Sequence, residues 1–196
     1  PLCACCGVPL GSEPAPERCA ACIGRPPTFI SARSAGLYLP TTAGLNPLAV
    51  AIHALKYRGR RVVANALGHL LAERYPFAPT ALLVPVPLHR VRLRDRGYNQ
   101  ALLLARVLGR ARRLQVAARV LRRRRPTRAQ PGLTAAERAR NLAGAFEVRL
   151  PAAVAGRQVV LVDDVMTTGT TAEACARVLR RAGARRIDIY TVGRAP

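Results

Sequence analysis

The stretch VVLVDDVMTTGTT, Val159 to Thr171, limits what this chain can fold into more than any other. Gln158 to Val162 is an almost unbroken apolar run, which reads as a strand buried on both faces and ending at Asp163 and Asp164. A strand is expected over 158–163. Helical spacing of Cys175, Val178, Leu179 and Ala182 predicts a helix over 170–182. The acids therefore stand at the carboxyl end of a strand, where open α/β sheets bind ligands. The first amides of the helix converge on that point, and the helix dipole favours an anion there. Gly169 admits close approach to the backbone, and the hydroxyls of Thr167, Thr168, Thr170 and Thr171 add donors. The segment contains no lysine, so it is not the Gly-Lys-Ser/Thr phosphate loop, and the chain has no G-x-G-x-x-G. An anion cradle beside two carboxylates suits a 5-phosphorylated ribose: phosphate on the threonine loop, cis hydroxyls on Asp163 and Asp164. The competing reading is that Asp164 caps a turn and the threonines cap the helix.

The rest of the chain alternates strand and helix signals. FISARSAGLYL (29–39) has strand-type residues and a glycine break, which predicts a short hairpin. Leu45, Leu48, Ile52 and Leu55, with Pro47 near the start, mark one amphipathic helix; Val63, Leu67, Leu70, Leu71 and Arg74 mark a second. ALLVPVP (81–87) reads as a buried strand, LHRVRLRDRGYNQ (88–100) as a basic loop, and Ala101, Leu104, Ala105 and Leu108 as a helix face. VAARVL (116–121) reads as a strand and RRRRPTRAQPG (122–132) as an irregular, mobile segment. A short helix over 134–143, a strand near 145–148 and a last strand over 186–192 complete the pattern. This alternation predicts an α/β fold, a mainly parallel sheet with helices on both faces. It would occupy residues 28–196.

Residues 1–27 are rich in Cys, Pro and Gly and too poor in large apolar residues to build a core. Cys3 and Cys6 form one Cys-x2-Cys pair, Cys19 and Cys22 another. Four thiolates in two such knuckles suit a structural, tetrahedral Zn²⁺. The alternative is free or disulfide-bonded thiols. Cys5 is a surplus thiol that could exchange with Cys3 or Cys6, and Cys175 reads as a small core residue. The opening PLCACCG has neither the charged region nor the apolar region of a secretory signal, and no apolar run reaches membrane-spanning length. No membrane insertion and a cytoplasmic location are therefore expected.

Lys and Arg total 32 against 10 Asp and Glu, a net charge of +22. Such an excess favours polyanionic partners, nucleic acid among them, and Arg suits phosphate because its planar fork takes two oxygens. Arg90, Arg92, Arg94 and Arg96 alternate, so an extended segment would align them on one side. The run Arg122, Arg123, Arg124, Arg125, with Arg128, could follow a nucleic-acid backbone; the competing reading is a solvated face with compositional bias. Aromatic residues make up only 4%, with no Trp, so a base-stacking platform would be thin. His53 and His69 read as helix-face residues, and His89 lies beside the basic loop.

Taken together, VVLVDDVMTTGTT resembles the signature of type I phosphoribosyltransferases, which bind 5-phosphoribosyl-1-diphosphate. HALKYRGR (53–60), VPVPLHRVRLRDRGYNQ (84–100), RPTRAQPGLTAAERARNLAGAF (125–146) and the Cys-x2-Cys pair narrow the likeness to the ComF family of competence proteins. Met166 stands where that pattern has a branched aliphatic. The resemblance implies that Asp163 and Asp164 bind the ribose hydroxyls and that Thr167 to Thr171 hold the 5-phosphate. It implies a diphosphate loop with Arg90, Arg96, Gly97 and Asn99, and a mobile hood around Arg125, Thr127, Gln130 and Arg138. Lys56 fits the family pattern without an assignable role. Mg²⁺ would accompany the diphosphate, whose departure needs charge neutralisation. A role in DNA uptake during natural transformation is implied, with single-stranded DNA and a competence ATPase or helicase as partners. The alternative is an active Mg²⁺-dependent phosphoribosyltransferase, of unknown acceptor, with no direct role on DNA.

Overall fold

The computed structural model of the protein describes residues 1–11, 16–39, 46–125 and 135–196. In chain order the elements are α1 (Ala20–Gly24), β1 (Ser31–Leu37), α2 (Pro47–Tyr57), α3 (Val63–Glu73), β2 (Leu82–Pro85), α4 (Arg90–Arg96) and α5 (Gln100–Arg112). There follow β3 (Leu121–Arg123), α6 (Ala135–Leu142), β4 (Phe146–Val148), β5 (Gln158–Met166), α7 (Thr170–Arg181) and β6 (Arg186–Arg194). Four strands form a wholly parallel sheet in the order β1-β6-β5-β2. β3 and β4 form a separate antiparallel pair.

Side chains alternate across a strand, and here both faces are covered. Leu82, Val84, Val159, Leu161, Ile187 and Ile189 pack beneath α7 through Ala172, Cys175, Ala176 and Leu179. Leu83, Val160, Val162, Tyr190 and Val192 pack against α2, α3 and α5 through Ile52, Leu55, Leu67, Leu71, Leu104 and Leu108. Burial on both sides is why these strands read as continuous apolar runs. Cys175 is the core residue its spacing indicated. Among the described residues no helix is long and apolar enough to cross a membrane.

Several expectations are corrected. The hairpin in 29–39 is instead a single edge strand, β1, paired in parallel with β6. Its glycine break, Gly36, is not a turn: a Cβ there would come within 3.1 Å of Leu48, so the glycine serves the close approach of α2. The basic segment 88–100 is not an extended loop. His89 accepts from the Val91 amide and Gly97, at φ 76°, ends the helix α4 between them. No residue of α4 is buried, so no apolar stripe announced it. The strand expected at 116–121 is reduced to one bridge, Leu83 to Val116, and pairing resumes at Leu121 to Arg123. The arginine run therefore begins as strand, while 126–132 lies outside the described residues, as does Leu45 of the α2 pattern. β5 continues past Asp163 to Met166 because β6 keeps pairing with it as far as Arg194.

Candidate functional site

Because β5 runs straight through Asp163 and Asp164, the two carboxylates leave it on opposite faces. Asp164 turns to the α2 side, where its Oδ2 lies 2.9 Å from Lys56 Nζ in a largely buried ion pair. Burial works against the Lys56 charge, but Asp164 first and Asp163 second outweigh it and raise its pKa. Asp163 turns to the α7 side, within electrostatic reach of Cys175 and Arg123. Burial, with the neighbouring Asp164 charge adding to it, pushes the Asp163 carboxyl up to about 8. Each acid also accepts the amide of the residue after it, at 2.9 and 2.8 Å.

Gly169 occupies the left-handed region at φ 75° and turns the chain from β5 into α7. A Cβ there would meet Met166 Cε at 2.8 Å, so the thioether fills the space beneath the turn. The N-cap residue is Gly169 itself, which has no side chain, so the turn presents the backbone at the start of α7 closely to whatever lies beside it. Thr168 and Thr170 hydroxyls lie 2.8 Å apart. One wall of this loop is fixed by Arg194, whose buried guanidinium donates to Met166 O, Thr167 O and Ala195 O, and to Cys6 O at 3.1 Å.

Asp163, Asp164, Lys56 and all five residues Thr167 to Thr171 line a single cavity of about 990 Å³. Its opposite wall comes from α4 and β3. Helical spacing splits the four alternating arginines: Arg92 and Arg96, one turn apart, face the cavity, whereas Arg90 and Arg94 do not line it. Of the expected diphosphate-loop residues only Arg96 lines the cavity. Gly97 ends α4, and Asn99 caps α5 through Ala101 N while donating to Val86 O at 3.0 Å. His89 serves as the cap of α4.

Strand spacing splits the second arginine run in the same way. Arg122 and Arg124 both reach Glu147, at 3.1 and 3.0 Å. Arg123, on the other side, stacks 5.4 Å over the Phe146 ring and lines the cavity. Burial, then the charge of Arg92, lowers its pKa, so two guanidinium groups converge on one space. Arg125 donates to Asn141 O and Ala143 O. Thr127, Arg128 and Gln130 lie outside the described residues; Arg138 falls on α6 with its side chain undescribed.

The structure thus adds Lys56, Arg92 and Arg123 to the cavity. Lys56 carried no local signal for its partner, because the pair forms between elements far apart in sequence. Arg92 could have been found by reading 90–96 as one helical turn after another.

At the N-terminus, Cys3, Cys6, Cys19 and Cys22 gather with all sulfur atoms within 4.8 Å of one another. Cys6 and Cys19 Sγ are 3.7 Å apart, close to the roughly 3.8 Å edge of a tetrahedron with Zn–S bonds of ~2.3 Å. The four thiols could hold a zinc ion. Although burial acts the other way, backbone donors from Cys19, Cys6 and Cys5 draw the Cys3 thiol down to about 6. Gly7, at φ 67°, tucks the first knuckle against β1, where a Cβ would strike Ala32 O. Cys5 lies outside the cluster of four, its Sγ directed at Ile30 O.

Residues 95–196 match the family described as phosphoribosyl transferase domain. DNA utilization protein YhgH of Escherichia coli K12 is 36% identical over 98% of this chain and 84% of its own length. Competence protein F of Haemophilus influenzae is 30% identical over the whole chain and 85% of its own length. Among solved structures, the glutamine phosphoribosylpyrophosphate amidotransferase of B. subtilis, complexed with ADP and GMP, aligns with a TM-score of 0.50 at 20% identity. That alignment covers 70% of this chain and 30% of that protein, and shows a shared fold. With the parallel sheet, the acid pair at its carboxyl edge, the threonine turn and the cysteine knuckles in one chain, these likenesses have one reading: the protein belongs to the ComF family and is built on a type I phosphoribosyltransferase fold.

Proposed function

We propose that the protein binds 5-phosphoribosyl-1-diphosphate with Mg²⁺ in the cavity between β5, α4 and β3, and acts in the use of DNA taken up by the cell. The observation that carries this reading is the single cavity shared by the β5 acids, the threonine turn that opens α7 and the guanidinium groups of Arg92, Arg96 and Arg123. The 5-phosphate lies on Thr167 to Thr171. The ribose hydroxyls meet Asp163 and Asp164 from across the end of β5, and the diphosphate meets the arginines. Asp163 and Asp164 supply the hard oxygen donors that suit Mg²⁺. Once bound, that ion would neutralise charge on the diphosphate.

The relatives' names, DNA utilization protein and competence protein, support the DNA role. The net charge of +22 supports a polyanionic partner, single-stranded DNA. Of the arginine run, Arg122, Arg124, Arg125 and Arg128 belong to this reading as outer contacts to its backbone, whereas Arg123 lines the cavity and faces the donor; a hood formed by Arg125, Thr127, Gln130 and Arg138 lies over the donor. Zinc holds residues 1–27 as a structural unit, with 28–196 as the phosphoribosyltransferase-like domain, in a cytoplasmic protein.

Titration calorimetry with 5-phosphoribosyl-1-diphosphate and Mg²⁺ tests the site. Wild type binds, and Asp163→Asn and Asp164→Asn bind at least about tenfold more weakly, the scale of one lost hydrogen bond to a charged group. Equal affinity in all three proteins would refute the site. Diphosphate release on adding bases or amines would establish turnover, the alternative in which catalysis is the main role.

A further inference from the structure

The chain is short of aromatic residues, yet one tyrosine stands open at the mouth of the cavity. Tyr57, the last residue of α2, is 68% exposed and lines the cavity beside Lys56. It is held in place without being covered. His53, one turn earlier, packs against it with ring centroids 4.8 Å apart, and the Arg96 guanidinium lies 5.6 Å from its centroid. Arg58, Arg60 and Arg61 follow it directly and are exposed. Arg61 stacks on Tyr98, whereas Arg58 and Arg60 form no ion pair among the described residues.

An exposed ring offers a flat apolar face on which another ring can stack while its hydroxyl stays in water. A ring flanked by cations suits a flat heterocycle joined to phosphates. We propose that Tyr57 is a stacking platform for an unpaired base of a single-stranded nucleic acid, whose backbone runs along Arg58 and Arg60. This rests on the single-strand part of the proposed function and gives it a place. In the run 122–125, by contrast, Arg122 and Arg124 are tied to Glu147 and Arg123 faces the cavity. The α2–α3 turn offers guanidinium groups with no such ties, next to an aromatic face. A strand held there would present one base to the edge of the ribose site.

The test is fluorescence anisotropy with two labelled probes of equal length and charge: a short oligothymidylate, and the same strand with abasic sugars. Wild type binds the thymidylate more tightly. Tyr57→Ala loses about fivefold or more on the thymidylate and nothing on the abasic strand; Tyr57→Phe keeps wild-type affinity. Arg58→Ala/Arg60→Ala weakens both probes alike. Equal loss on both probes with Tyr57→Ala, or no loss on either, overturns the platform while leaving DNA binding intact. Failure of wild type to bind either probe overturns both the platform and the single-strand reading.

Discussion

Lys56 and Asp164 show how much one residue pair decides in this site. Their ion pair is largely buried, with only a fifth of the Lys56 side chain exposed. Removing the cation leaves a carboxylate with little access to water. Lys56→Met is expected to cost about 3 kcal/mol in urea unfolding, and Lys56→Met/Asp164→Asn to recover most of it. Lys56→Arg keeps the charge and falls between. Asp163 gives a pH dependence of definite sign. Its pKa is raised from the ordinary 3.8 to about 8, so between those pH values the free fold holds a proton that the unfolded chain would release. The stability this contributes is present in acid and is lost as pH rises through about 8. Binding of donor with Mg²⁺ requires the ionised form, so affinity rises over the same interval. Calorimetry in buffers of different ionisation enthalpy should show up to one proton released per donor at neutral pH, and none in Asp163→Asn. Asp163, Asp164 and the threonine turn were legible in the sequence because strand, glycine and helix signals agree over a few residues. Lys56 was not, because its partner is set by the way α2 crosses the sheet.

At the scale of elements, the clearest lesson is α4. Alternating arginines looked aligned for an extended chain, but a helix re-sorts them by its own period. Arg92→Ala and Arg96→Ala should each weaken inorganic diphosphate binding by about tenfold, the scale of one charged hydrogen bond, whereas Arg90→Ala and Arg94→Ala should not. If all four lost affinity equally, the segment would be acting as a flexible basic loop. The α3–α5 contact illustrates a different gap. A Cβ at Gly68 would meet Val107 at 2.4 Å, so the two helices touch through a missing side chain. Gly68→Val is expected to destabilise by about 2 kcal/mol, and Gly68→Val/Val107→Ala to recover part of that loss. Apolar periodicity found both helices, since Leu67, Leu71, Leu104 and Leu108 mark their buried faces. It could not find the glycine, because a residue with no side chain leaves no mark on a hydrophobic pattern. Short β3 was blurred for a related reason, since three residues give too little alternation to fix a strand's bounds, whereas β4 falls within the strand expected near 145–148.

The whole molecule is tied together at one point that no local pattern announced. Arg194, at the end of β6, donates to Cys6 O in the first cysteine knuckle and to Thr167 O in the phosphate loop. A second tether lies nearby: Glu173, in the first turn of α7, accepts from the Thr28 amide and hydroxyl, each at 2.8 Å. The segment carrying the cysteines is thus bonded through Cys6 to the residue that holds one end of the donor loop, and Thr28, the residue that follows the segment, is bonded to the helix at the loop's other end. The layered sheet could be anticipated from alternating signals, but the order β1-β6-β5-β2 and this joint arise only when distant segments meet. If zinc orders the knuckle, removing it should loosen the carbonyl of Cys6 and, through Arg194, the turn at Thr167. The zinc-loaded protein treated with a chelator should therefore lose thermal stability and also bind 5-phosphoribosyl-1-diphosphate about fivefold more weakly, a coupling near 1 kcal/mol. Cys19→Ser should reproduce both effects while lowering the zinc content measured by mass spectrometry. Arg194→Leu separates coupling from general unfolding: its donor affinity should already be reduced, and chelation should then change it little even though the melting temperature still falls. A chelator that lowers the melting temperature but leaves wild-type donor affinity untouched would mean that the cysteine segment holds itself together and nothing more, with Arg194 fixing the loop from β6 alone.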